Sequence, residues 1–574
     1  LHSDQPARWR AALVLGAALS LSSGCGEENH QRVIAPPFPD GSVLIADSGF
    51  PDPVVVPPPS VQPAMDAGIV MPRLPTTGVD AGLRPDGGRS DAGSVVISAD
   101  GSVPPSTDPN AGNPCGMDPE PLAANIRISE VAMYQTVKVS LFKNDAWVTP
   151  RNAALVQGKK SLVRAFVTPQ TGFAPRALRG ILTLNTDGRT NVIISDRMVS
   201  TASTDEGTTS TFDFPIDGAL IAGSTQLSVS VIETACMAPA ATPGARVPAT
   251  GTQMLGADAI AKFRVVVVPI TLSGRTPDTS AAQLEKFRGE LLAYYPVAEV
   301  EVTARAPVAY TGTVQSSGSG WSEVLSLVGR TRQQDAPAAS VYYFGLMMPG
   351  ATFRDYCRSG CVAGLAPQTT VISRSNQIGL GVGYVDPTTA STMAHELGHA
   401  HGLPHAPCTR GGTIEGADAH FPYAGAKIGV WGWDSRVAKL MSPTMYVDLM
   451  SYCDPVWISD YNYAKIATRA KAVNTAAFIY EGEALAQTWH GIILRADGSA
   501  AWSGMTASEA PGETSSARAL DAQGHALSTI DVVRVALSQT GDSFLYVPEP
   551  AAGWAAIDLG DRVLQLEQVA PAPQ

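Results

Sequence analysis

The spacing of apolar positions changes character twice along the body of the chain. From about residue 115 to 262 the short apolar runs have strand composition. Leu162 to Val167 is one such run, and Leu227, Val229 and Val231 alternate with Ser228 and Ser230. Alternation of this kind places one face of a strand in a core. Ile181 to Asn185, then Asp187-Gly188, then Asn191 to Ile194 reads as a hairpin closed by a two-residue turn. The pattern predicts an immunoglobulin-like β-sandwich over 115–262.

From residue 263 to about 475 helical and strand periods mix. Arg264 to Ile270 reads as a buried strand, and Ser340 to Leu346 as another. Leu284, Phe287, Leu291 and Tyr294 share one face of a helix over Ala281 to Tyr294, and Trp321 to Arg330 predicts a second helix. Residues 476–574 return to β character. Ile492 to Leu494, Asp497-Gly498 and Ala500 to Trp502 form a hairpin pattern, followed by strands at Val532 to Leu537, Phe544 to Val547 and Val563 to Leu566. The expected fold class is therefore multidomain: an α+β body at 263–475 flanked by two β-sandwich domains, the second at 476–574.

The first 114 residues have another character. Arg8 and Arg10 precede an apolar run from Ala11 to Leu21, and the small residues Ser22-Ser23-Gly24 lead into Cys25. This is an export-signal pattern, and its end is similar to the bacterial lipoprotein signal, which implies acylation of Cys25 and membrane attachment there. Residues 26–114 predict a disordered tether. Val33 to Pro114 holds sixteen prolines and ten glycines but two aromatics, too little apolar surface to offset the entropy of ordering. The formal net charge of −12 argues against nucleic-acid partners, which require a surface that neutralises phosphate.

The candidate chemistry lies in the segment from His395 to His405. On a helix, His395 and His399 stand one turn apart on one face. Two imidazoles so placed suit Zn2+, which in catalytic sites takes three protein ligands and keeps one position open. Asp386 and Pro387 suit the start of this helix, and Gly402 its end, because glycine accepts the left-handed conformation that turns the chain. That turn would return His405 as third ligand. Glu396 projects about 100° round the helix from His395, beside the metal, where it can take a proton from water and pass it to a leaving amine. His401, about 240° round, should miss the metal and lie behind the ligands or at the surface.

HExxHxxGxxH followed by a methionine turn resembles the metzincin metallopeptidases. The second half of the pattern is at Asp448-Leu449-Met450-Ser451-Tyr452-Cys453, about 45 residues after His405. The resemblance implies a metzincin-like catalytic domain, with Met450 as the apolar floor beneath the ligands and Tyr452 stabilising an oxyanion. Met393-Ala394, Gly429 to Trp433 and Trp457 to Tyr461 are similar to secreted bacterial metzincins, including those that cleave mucin-like glycoproteins. Ala406, after the third histidine, departs from the best-known branches.

If Cys25 carries lipid, six cysteines remain, which suits an oxidising compartment but allows 15 pairings. Cys408 with Cys453 would pin the third ligand to the methionine turn; Cys357 with Cys361 would close a short loop; Cys115 with Cys236 would staple the first sandwich. The expected function is an exported zinc endopeptidase acting on extracellular protein or glycoprotein. The alternative is a non-enzymatic adhesin or glycan-binding lipoprotein that keeps the fold without turnover.

Overall fold

The computed structural model describes residues 106, 121–235, 242–358, 360–385, 387–408, 414, 416–480 and 487–571. Cys25, the tether apart from Ser106, Cys115, Cys236 and Asp386 lie outside these residues.

Residues 121–262 form two sheets whose inner faces share one core. In one, strands Gln226–Glu233 and Arg189–Val199 flank Arg176–Thr186. The hairpin between the last two closes on Asp187-Gly188, both with positive φ (51° and 77°), as a two-residue turn between twisted strands requires. In the other sheet, the long strand Ile126–Lys143 pairs with Ser161–Pro169, which pairs with Phe212–Ile216. Leu178, Leu182, Val229 and Phe214 meet between the sheets, all nearly fully buried.

This second sheet is not built from its own region alone. Gly432–Asp434 pairs with Ile126–Lys143, Thr136 opposite Trp433, and Lys439–Met441 extends the sheet one strand further. The core is shared as well: one apolar cluster runs from Ala123 through Phe287 and Leu397 to Ala467. The first region and the α+β body therefore meet through a common sheet and a common apolar cluster.

In the body, Phe263–Leu272 lies between parallel neighbours Val300–Ala304 and Val341–Met347, and the latter pairs with Ile378–Val382. The run Val-Tyr-Tyr-Phe-Gly-Leu-Met is buried throughout, as expected of a strand covered on both faces. Helices Ala281–Tyr294 and Trp321–Asp335 cover the sheet, and Ser280 caps the first by accepting from the Gln283 backbone N–H. Gly364–Leu365 adds an antiparallel edge to Ile378–Val382, and Pro367–Gln368, immediately after it, pairs instead with the C-terminal strand Ala526–Leu537. That strand belongs to one nine-stranded sheet. One face of the sheet carries its own cluster around Ile492, Val532 and Leu545; the other packs Trp489, Phe544 and Tyr546 against Trp321 and Tyr343 of the body. No helix among the described residues is long and apolar enough to cross a membrane.

Candidate metal centre

The helix that carries the motif runs from Pro387 to Ala400. Met393, Ala394, Leu397 and Ala400 are buried; their spacing makes one apolar face, and a buried Leu or Met stabilises by about 2 kcal/mol. Tyr295 Oη donates to the Ala394 carbonyl at 2.8 Å, fixing the helix against its neighbour. The helix ends on Gly402, φ 85°. The Gly402 N–H donates to the His399 carbonyl (2.7 Å) and the Leu403 N–H to that of Gly398 (3.1 Å). These two bonds are the closing pair of a left-handed C-terminal cap, the conformation in which a β-carbon costs most. The chain then reverses and brings His405 back.

The reversal gathers His395, His399 and His405, with one candidate ligand atom from each within 4.8 Å of the others. His399 Nε2 and His405 Nε2 are 3.0 Å apart. The two helical imidazoles are oriented from behind. His395 Nδ1 lies 2.8 Å from the Leu449 carbonyl and His399 Nδ1 2.7 Å from that of Leu403. A carbonyl only accepts, so Nδ1 carries the proton and the Nε2 lone pairs face the centre. His395 Nε2 is buried with no hydrogen-bond partner. Burial holds His395 down to about 4, opposed by the Leu449 carbonyl, and His399 well below the usual range, through burial and the two neighbouring imidazoles. Neutral imidazoles with inward lone pairs are what a metal ion needs, so the residues present fit one.

Beneath the helix, Met450 is fully buried. A β-carbon on Gly398 would stand 2.6 Å from its sulfur, so this glycine, at a position the motif leaves open, makes room for the methionine. The turn is tied by Asp448, itself fully buried: its carboxylate accepts from the backbone N–H groups of Met450 and Ser459, both at 2.8 Å, and from Asn462 Nδ2 at 2.7 Å. The Ala406 N–H donates to the Met450 carbonyl at 2.8 Å, and a disulfide joins Cys408 to Cys453. The third histidine and the turn are thus held together twice. Tyr452 Oη lies 2.8 Å from His405 Nε2. Cys357 and Cys361 also form a disulfide, shortly before the edge strand Gly364–Leu365.

Glu396 is 1% exposed, and burial pushes its carboxyl up to about 8, opposed by hydrogen bonds from Ser538 and Gln539. Its contacts are close: a β-carbon on Gly364 would fall 2.3 Å from Oε1. Sequence reasoning did not find Gly364, Ser538 or Gln539, nor the bracing role of Asp448. None carries a local pattern, and Ser538 reaches Glu396 across 142 positions. His401 is buried, not at the surface: its ring stacks on Tyr342 at 4.7 Å, with Phe263 and Tyr295 edge-on. The helical arc turns it away from the other three histidines; the sheet packed against that side of the helix covers it. A cleft opens beside His395, Glu396 and Tyr452, bounded by Gly364, Asp454 and Gln539.

Residues 375–454 match the Peptidase M66 family; no curated protein matches the chain. The match spans all three histidines, Glu396, Met450 and Tyr452, and with the histidine cluster it supports a metallopeptidase.

Proposed function

We propose that the chain is an exported zinc endopeptidase of the metzincin type that hydrolyses peptide bonds in extracellular proteins or glycoproteins, tethered through a lipid on Cys25. The observation that carries the reading is the convergence of three imidazoles on one point, those of His399 and His405 buried, with a buried carboxyl next to the first of them and a cleft alongside.

His395, His399 and His405 would hold the ion through their inward nitrogens. When bound, zinc supplies Lewis acidity that acidifies water and polarises a carbonyl. The remaining work falls to the chain. Glu396 accepts the proton of the attacking water and returns it to the departing amine; a carboxyl raised by burial takes a proton near neutral pH and can give it back. Tyr452, whose hydroxyl points to the same place as the His405 nitrogen, donates to the oxygen on which charge develops. Met450 keeps the floor apolar, and the buried Asp448 prevents the turn from shifting.

The test is cleavage of casein by the full chain, with and without a chelator, beside Glu396→Gln and His399→Ala. Glu396→Gln should keep its zinc and lose activity by roughly 10²- to 10⁴-fold; His399→Ala should lose both. Cleavage by Glu396→Gln at the wild-type rate would remove this site from the chemistry. Absence of cleavage by a zinc-loaded wild type, on casein and glycoprotein alike, would favour a binding protein.

A further inference from the structure

The carboxylate of Glu396 has a hydrogen-bond donor on each oxygen, and both come from the C-terminal sheet. Ser538 Oγ donates to Oε2 at 2.9 Å, and Gln539 Nε2 is 3.4 Å from Oε1. The two residues open the turn between strands Ala526–Leu537 and Ser543–Pro548, and that turn is fastened to the body from several sides. The Ser538 N–H donates to the Ala366 carbonyl at 2.9 Å, and the Ala366 N–H returns a bond to Ser538 Oγ at 3.0 Å. Asp542 accepts from Ser322 Oγ, on the helix Trp321–Asp335, at 2.5 Å. Gln539 has φ 87°, a left-handed conformation that costs a residue with a side chain about 1 kcal/mol or more and persists only where the surroundings impose it. With it, the side chain borders the cleft, and its Oε1 is buried without a partner. A buried carboxylate has no reason to keep one orientation unless donors fix it. Here the donors are Ser538 and Gln539 on one side, and the close approach of Gly364 confines the carboxylate on the other.

We propose that Ser538 and Gln539 are positioning residues for Glu396, which makes the C-terminal sheet a part of the active site and not an appended module. The proposal rests on the peptidase reading. The turn sets the angle at which the Glu396 carboxylate meets the water it activates.

The test uses the full chain and one defined peptide substrate. Ser538→Ala and Gln539→Leu should each lower kcat roughly 10- to 100-fold, the cost of a catalytic group displaced by about an ångström. For Ser538→Ala, at a residue that does not line the cleft, KM should stay within about two-fold, with bound zinc and the melting temperature near wild type. Ser538→Thr keeps the hydroxyl and should recover most of the rate. Should Ser538→Ala fail to fold through loss of its Ala366 bond, Gln539→Leu, which lacks that bond, carries the test. A second readout needs no turnover: in urea unfolding of the metal-stripped chain, Ser538→Ala and Glu396→Gln should be non-additive, as contacting groups are. Wild-type kcat in both turn variants, a gain in kcat, Ser538→Thr as impaired as Ser538→Ala, or strict additivity would each overturn the proposal. Glu396→Gln assayed alongside separates the two failures. If it is inactive while the turn variants are normal, only the positioning role falls; if it is active, the peptidase reading falls.

Discussion

Two β regions flank the body of this protein, and they are joined to it in different ways. The N-terminal pair of sheets shares its core with the body and borrows Gly432–Asp434 as a strand. Its hydrogen bonds toward the site's surroundings include Lys159 at the end of Ala281–Tyr294 and Thr136 against Trp457. The C-terminal sheet lends no strand to the N-terminal sheets, yet it places two side chains on the carboxylate of Glu396. One region braces the scaffold from behind; the other meets the carboxylate of Glu396. Changes at the first junction should therefore register in stability, and changes at the second in rate.

Two glycines test this most sharply. A β-carbon on Gly364 would stand 2.3 Å from Glu396 Oε1, and one on Gly432 would stand 2.3 Å from Trp457 Nε1. Gly364→Ala should lower kcat on the order of 100-fold or more, because the carboxylate must move, while zinc content and melting temperature hold. Gly432→Ala should do the reverse, lowering the unfolding midpoint while leaving kcat/KM at low temperature near wild type. If Gly364→Ala lowers the unfolding midpoint and keeps wild-type kcat, the division between brace and chemistry is wrong.

What the sequence disclosed follows the same division. The motif helix, the Gly402 stop, the methionine turn and the two Asp-Gly hairpins are legible because each is encoded within a few residues, where spacing and turn chemistry act. The disulfides Cys408–Cys453 and Cys357–Cys361 were readable once the site was placed between them. The joins were not. Nothing in Trp431-Gly432-Trp433 announces a partner at Thr136, because pairing across 297 positions depends on two surfaces and on no pattern within either. Ser538-Gln539 reads as an ordinary turn, and its meaning appears only when Pro367–Gln368 docks beside it. Composition changes are local, so they carry no sign of the strands that pair between regions.

The next effect is one of pH. Lys159 is buried, and its ammonium donates to the carbonyls of Leu292, Tyr295 and Val297 at 2.7, 3.0 and 3.2 Å, closing the end of Ala281–Tyr294. Burial lowers it from 10.5 to about 7. A base with a native pKa below its unfolded one is bound by more protons when unfolded, over the interval between the two values. Stability from this group therefore rises with pH from about 7 to about 10 and is flat, at its lowest, below that. The slope is roughly 1 kcal/mol per pH unit. Lys159→Met keeps most of the apolar stem and abolishes the titration. From urea curves at pH 7 and pH 9, wild type should gain about 2 kcal/mol over the variant, with kcat unaffected by the substitution. Parallel pH dependences would mean that this lysine is not held dry between the two regions.

The smallest effect is expected at Trp457, and it bears most directly on how the N-terminal sheets support the site. Its indole Nε1 donates to the Thr136 carbonyl at 3.0 Å, and its ring lies 5.0 Å from that of Tyr294. Thr136 has φ 79°, an uncommon conformation for a β-branched residue, and its own hydroxyl donates to the Ala293 carbonyl at 2.8 Å. The indole bond and the hydroxyl bond thus hold one strained residue from two elements, with Trp457 five residues past Tyr452. Trp457→Phe keeps an aromatic ring in place and removes the bond, at a cost of about 1 kcal/mol. A brace that acts on the fold alone predicts that the unfolding midpoint drops by that amount while kcat and KM stay at wild-type values. A fall in kcat at full occupancy of zinc would show instead that the N-terminal sheets reach Tyr452 through this short segment, and the two β regions would then differ in distance from the chemistry and not in kind.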